Sequence, residues 1–209
     1  MTGPRVHRMT ITADLFSEGL AEAIDRGGRS LVHIQDGNRG AGSVWHADGI
    51  IVTNAHVARG NSIRVTLPDG RQVRGRVLAR EPDLDLAAIG VEETGLPAAE
   101  LGDSQGLRPG EMVMSMGHPW GVEGAATAGV VIGLGEATRE SPMAGREWIV
   151  ASLRLRPGHS GGPMVDAHGR LVGINTMITG PEVAMAVPVH VAKEFLVGAL
   201  ELIQQRTAA

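Results

Sequence analysis

The sequence predicts an all-β protein, a sandwich or a pair of barrels, with a short helix at each end. Three observations predict it. Apolar and polar residues alternate with period two in many short runs. Turn-forming clusters such as Ala47-Asp48-Gly49, Arg59-Gly60-Asn61 and Pro68-Asp69-Gly70 separate those runs. Helical spacing occurs only in the first and last segments, so the strand–helix alternation of a βαβ architecture is missing.

The elements follow in order. In residues 13–26, Phe16, Leu20, Ala23 and Ile24 share one helix face, Thr12 is placed to cap its start, and Gly27-Gly28 is a stop. Strands are expected at 30–36, 41–46, 49–53, 62–67, 71–79 and 85–91. The stretch 94–110 holds Pro97, Gly102, Gly106, Pro109 and Gly110 and reads as a connector. A second set of strands is expected at 112–118, 125–134, 147–152, 162–166, 169–176 and 183–188. A closing helix over 189–204 follows Pro188 and aligns Val191, Phe195, Ala199, Leu202 and Ile203.

Composition narrows the function. A chain of 209 residues that is 43% hydrophobic can bury the core of one domain or two small subdomains. Aromatics make up 2% and Tyr is absent, so that core must come from Val, Ile, Leu, Ala and Met. A net charge of −4 without a clustered basic surface argues against nucleic acid. Zero Cys excludes disulfides and thiolate metal sites, and the eight His have no ligand-like spacing, so neither metal nor organic cofactor is expected. No run reaches the roughly 18 apolar residues of a membrane span. Met1–Thr10 lacks the apolar region of a signal peptide, so a soluble and, as written, cytoplasmic chain is expected, with an exported mature form left open.

Three segments carry chemistry. Thr53-Asn54-Ala55-His56-Val57 follows the apolar run Ile50-Ile51-Val52, which holds an imidazole at a rigid strand end. Asp83-Leu84-Asp85-Leu86-Ala87-Ala88-Ile89 leads an acid into a buried run, and Asp85 abuts that run more closely than Asp83. Pro157-Gly158-His159-Ser160-Gly161-Gly162-Pro163 places a serine on a tight glycine-rich turn, as acyl transfer requires of its nucleophile. Together they form a candidate triad of His56, Asp85 and Ser160, with an oxyanion hole made by the N–H groups of Gly158 and Ser160. Gly158-His159-Ser160-Gly161-Gly162 also fits the nucleophile elbow of α/β-hydrolases, with Asp166 and His190 as partners. The order His, Asp, Ser and the all-β surroundings favour the chymotrypsin arrangement.

On these motifs the chain resembles the protease domain of the HtrA (Deg) family of trypsin-like serine peptidases. Gly117-His118-Pro119-Trp120-Gly121, Thr127-Ala128-Gly129-Val130-Val131 and Gly173-Ile174-Asn175-Thr176 extend the likeness over nearly the whole chain. The resemblance implies two six-stranded antiparallel β-barrels with the site in the cleft between them. It divides the chain into an N-terminal segment and helix (1–28), a first barrel with connector (29–110), a second barrel (111–188) and a C-terminal helix (189–209). It implies endopeptidase activity on unfolded or flexible polypeptides, a specificity pocket lined by Leu155, Ile174 and Ile178, and a homotrimer. No PDZ domain is expected within these residues. The alternative is a catalytically weak or inactive relative that acts as a peptide-binding or chaperone module. His159 stands beside the oxyanion hole where the family usually has Asn, a departure that bears on the hole's geometry, and it replaces the Asp with which trypsin-like zymogens hold a new N-terminus, so activation by cleavage is not expected. Arg154 and Arg156 read as solvated cations near the cleft, with attraction of acidic substrate groups as the alternative, and the segment 136–147 as a mobile loop that orders on activation.

Overall fold

A computed structural model describes residues 4–36, 38–136, 145–180 and 182–207. Most of the loop expected at 136–147, residues 137–144, lies outside the described residues.

The chain runs α1 (Pro4–Gly28), then β1 (Leu31–Asp36), β2 (Asn38–His46), β3 (Ile50–Thr53), β4 (Ser62–Thr66), β5 (Gln72–Glu81) and β6 (Leu86–Val91). After the irregular connector come β7 (Met112–Gly117), β8 (Ala125–Glu136), β9 (Glu147–Ser152), β10 (Pro163–Asp166), β11 (Leu171–Gly180), β12 (Val183–Pro188) and α2 (Val189–Thr207). Both barrels are closed and antiparallel, with strand orders β1-β2-β3-β6-β5-β4 and β7-β8-β9-β12-β11-β10. In each, the third strand pairs with the sixth, so the second hairpin folds back across the barrel. Pairing of β1 with β4 and of β7 with β10 closes each cylinder and leaves no free edge.

One difference from the sequence reading concerns α1. It begins at Pro4, not near residue 13, because no Gly or Pro interrupts the chain before Gly19 and Pro is tolerated in a first turn. Thr12 therefore falls inside the helix and not at its N-cap position. Among the described residues Ala23, Leu20 and Ile24 pack into the core beneath the helix, whereas Phe16 is exposed.

The core has four parts. Val32, Ile34, Ile51 and Ile89 are among those filling the first barrel. Val113, Val131, Ile149 and Met164 are among those filling the second. Between the barrels, Val52, Leu86 and Ala88 meet Trp148, Ile174 and Val187, and α2 covers this seam with Val189, Ala192 and Leu196. Beneath α1, Ala23 packs on Leu31, Ala41, Met114, Met116 and Val165. With so few aromatics, unbranched Met fills the volumes that a ring would take elsewhere. The first barrel thus presents β3 and β6, which lead to and from the chemistry-bearing loops, directly at the seam.

Candidate active site

His56 leaves β3 on a single helical turn, in which Val57 N–H and Ala58 N–H donate to the Asn54 carbonyl at 3.2 and 3.1 Å. Asn54 is fully buried, and its side-chain amide donates to the Asp85 carbonyl at 2.9 Å. Asp85 closes a turn by donating its N–H to the Pro82 carbonyl at 3.2 Å, and it holds φ 53. Asp tolerates this left-handed conformation better than most side chains. Its carboxylate faces His56, while Asp83 is exposed and pairs with Arg146 at 3.6 Å.

Asp85 and His56 then form a close pair. Asp85 Oδ2 lies 2.7 Å from His56 Nδ1, and Oδ1 accepts the His56 backbone N–H at 3.1 Å. Thr176 Oγ1 donates a further bond to Oδ2. Burial alone would raise the Asp85 carboxyl, but the hydrogen bonds from His56 and Thr176 outweigh it and hold the group below its ordinary value. The carboxylate side chain is 13% exposed against 41% for the imidazole, so the acid lies behind the ring and the ring faces the cleft.

Ser160 reaches the same cleft from the other barrel. Gly158 stands at φ 108 in a turn closed by His159 N–H on the Arg156 carbonyl at 2.9 Å, with Pro157 and Gly158 at its centre. That is the residue pattern of a type II turn. A Cβ on Gly158 would meet the His118 carbonyl oxygen at 2.6 Å, so no other residue fits. The Gly158 carbonyl is drawn away by His118 N–H at 2.9 Å. Among the described residues, the N–H groups of Gly158 and Ser160 have no intramolecular acceptor. The Ser160 hydroxyl rests on the Thr176 carbonyl at 3.3 Å and makes no bond to His56.

Asn175 clamps the turn from beneath. Its carbonyl accepts from Gly161 N–H at 2.8 Å, its N–H donates to Gly162 O at 2.9 Å, and its amide donates to Pro163 O at 2.9 Å. Ser115 Oγ donates to its Oδ1 at 2.7 Å, which satisfies the other end of this buried amide. On the first-barrel side, Ala41 N–H donates to the Ser160 carbonyl at 2.8 Å and ties β2 to the turn. The roles of Asn175, Thr176 and Ser115 escaped the sequence reading. Gly173-Ile174-Asn175-Thr176 was visible as a motif, but nothing local shows which side chain turns inward.

His159 is almost fully buried, and its Nδ1 stands 3.2 Å from the Arg156 N and 3.1 Å from the Arg156 O. Burial lowers its pKa, so it sits neutral and braces the turn. His118 is also buried and stacks on the His33 ring at 4.7 Å, and burial followed by His33 pushes it down to about 4.

The cleft has a volume of about 530 Å³, and His56, Ser160, Leu155, Thr176 and Ile178 are among the residues lining it. Ile174 does not line it. It is fully buried at the barrel seam, because its register opposite Val187 and Pro163 points it into the core. This corrects the expectation that it borders the pocket. The hydrolase-elbow alternative also finds no support in geometry. Asp166 is bound to Arg170 at 2.7 Å, and His190 lies between Ser104 and Glu147 at 2.8 and 3.1 Å.

Comparison with known proteins agrees with this geometry. The model of the trypsin-like peptidase domain matches residues 40–174. The mitochondrial serine protease HTRA2 of Bos taurus is 36% identical over 163 residues, which are 76% of this chain and 36% of that protein. Human serine protease HTRA4 is 32% identical over 193 residues, 85% of this chain and 40% of that protein. A solved structure of the HtrA-type protease AlgW with a decapeptide superposes with a TM-score of 0.80 at 26% identity, covering 87% of this chain and 67% of that one. The chain spans about two fifths of the length of the first curated relatives it matches. Among the described residues no helix is long and apolar enough to cross a membrane. The chain belongs to the trypsin-like peptidase family and is similar in sequence and in double-barrel fold to the HtrA-type proteases.

Proposed function

We propose that this chain is a serine endopeptidase that cleaves unfolded or flexible polypeptides through an acyl-enzyme, with His56, Asp85 and Ser160 as its triad. The observation that carries the reading is the His56–Asp85 pair at 2.7 Å opening on the same cleft as Ser160, beside two unengaged backbone N–H groups.

Each group has a role. Rotation about Cα–Cβ turns the Ser160 hydroxyl from the Thr176 carbonyl toward His56. Oγ then attacks the peptide carbonyl carbon while its proton passes to His56 Nε2. Asp85 holds Nδ1–H and stabilises the imidazolium. The negative oxygen of the tetrahedral intermediate sits on the N–H groups of Gly158 and Ser160, where one donor contributes roughly 3–4 kcal/mol in comparable enzymes. Collapse breaks the C–N bond, and His56 returns the proton to the leaving amine. Water deprotonated by His56 attacks the ester and releases the acid.

Leu155 and Ile178 would line the pocket for the side chain before the scissile bond. A charge there would lose its hydration without gaining a partner, so aliphatic side chains fit best. Assembly as a trimer is implied by the resemblance and is read by light scattering.

Titration with a fluorophosphonate tests the reading. Stoichiometric labelling of the wild type, absent in Ser160→Ala, supports it, together with cleavage of an unfolded protein by the wild type alone. Equal labelling of the two proteins refutes it.

A further inference from the structure

Most cations around the site are already engaged. Arg59 donates to the His56 carbonyl at 3.0 Å, and Arg80 donates to the carbonyls of Ala58 and Arg59. Arg154 pairs with Glu182 at 3.3 Å and Arg146 with Asp83 at 3.6 Å. Arg39 and Arg156 differ. Both line the cleft, and among the described residues neither meets a carboxylate and no Asp or Glu lines that wall.

The two guanidiniums flank one turn, Pro119–Gly121. Arg156 Cζ lies 4.7 Å from the centroid of the Trp120 ring. Arg39 Nη1 lies 3.8 Å from the position a Cβ on Gly121 would take. Trp120 is 71% exposed at φ 54, a left-handed conformation unfavourable to a bulky side chain. The pose persists because Val122 N–H donates to Pro119 O at 2.9 Å and Gly121 N–H to His118 O at 3.3 Å. A strained backbone that presents an indole to the cleft is the kind of feature found at ligand clamps. The positive field also reaches inward: burial first, then Arg39, lowers His33, while exposed Glu123 acts on His33 in the opposite sense.

From this arrangement we infer that Arg39, Arg156 and the Trp120 ring form a carboxylate subsite, and that preferred substrates carry a carboxylate within a few residues of the scissile bond. The inference rests on the endopeptidase reading and narrows its substrate class. The planar guanidinium fork matches two carboxylate oxygens, and stacking on an indole leaves the N–H edges of Arg156 free to donate. A neutral segment in the cleft would cover two cations without satisfying them. The carboxylate is supplied by an Asp or Glu side chain or by a chain end, and the test separates the two.

Three amidated or free-ended peptides share one aliphatic residue before the cleaved bond. One is neutral, one carries Asp flanking that bond, and one ends in a free carboxylate shortly after it. Rates (kcat/KM) are measured for the wild type and for the double variant Arg39→Glu/Arg156→Glu. Binding of fluorescein-labelled versions to Ser160→Ala is followed by anisotropy. The ratio between peptides is the readout, so a change in overall activity does not obscure it. The wild type is expected to favour one or both carboxylate peptides by roughly threefold to tenfold at low salt, with the advantage shrinking at about 0.5 M salt. The double variant should lose or invert it. An advantage confined to the Asp peptide assigns a side chain, and one confined to the free-ended peptide assigns a chain terminus. Equal rates for all three peptides in a wild type that labels normally overturn the subsite and leave the peptidase reading standing. Absent labelling overturns the peptidase reading, and the anisotropy ratio then decides the subsite: equal affinities reject it.

Discussion

Thr176→Val isolates one contact to Asp85 while keeping the shape of the side chain. The Thr176 hydroxyl donates to Asp85 Oδ2, and its backbone carbonyl accepts from Ser160, so the residue touches both partners of His56. Valine removes the first contact and leaves the second. A hydrogen bond to a charged group contributes about 1.5–3 kcal/mol, and a buried carboxylate cannot replace it with bulk water. Asp85 is 13% exposed, so most of that loss should appear. The carboxyl should therefore rise toward its ordinary value. The sign follows from its depressed folded pKa. The stability it contributes is present above the unfolded value of 3.8 and is lost as pH falls through the folded one. The variant should unfold in acid at a higher pH than the wild type and lose about 1.5–3 kcal/mol at neutral pH. A loosened carboxylate also orients His56 less well, and a drop of roughly tenfold to a hundredfold in the fluorophosphonate labelling rate is expected. Urea titrations at several pH values and labelling kinetics on the same samples provide the measurements. A variant that loses stability yet labels within about twofold of wild type would falsify a role for Thr176 in orienting the pair.

Three further outcomes are expected. Gly158→Ala places a methyl against the His118 carbonyl at φ 108, so labelling should fall by about a hundredfold or more while far-UV dichroism stays β-type; unaltered labelling rejects the turn as the source of the N–H donors. Asp85→Asn should lower kcat by about 10⁴, because the amide tolerates φ 53 but favours the wrong imidazole tautomer; stopped-flow cleavage near the wild-type rate contradicts this. His118 is lowered from 6.5 to about 4, so the unfolded chain takes up its proton first and stability falls as pH drops through that window. His118→Gln should remove about 3 kcal/mol of that decline, read as a flatter plot of unfolding free energy between pH 7 and about 4, and an unchanged slope disproves it.

The cleft itself divides between readings the sequence supports and ones it cannot reach. Leu155 and Ile178 border it, whereas Ile174 is fully buried in the seam between the barrels. Arg154 and Arg156 look alike in sequence, two cations alternating with Leu153 and Leu155. One is neutralised by Glu182 across the surface and the other stacks on Trp120 in the cleft. The partner of each comes from more than 25 residues away, so no local pattern distinguishes them. Phe16 illustrates the opposite error: helical spacing grouped it with Ala23 and Ile24, but α1 outruns the body that it packs against.

What the sequence determined alone was what is short-range in cause: the strand periods, the turns that separate them, the seam-forming apolar runs, and the glycines and proline that shape the Ser160 turn. Pairing β3 with β6 and β9 with β12, closing both barrels, and bringing Asp85, Thr176 and Ser160 around one imidazole were decided only in three dimensions. The reason is physical. A strand's period comes from its own backbone, but its neighbour is chosen by burying apolar faces and satisfying backbone groups against residues distant along the chain.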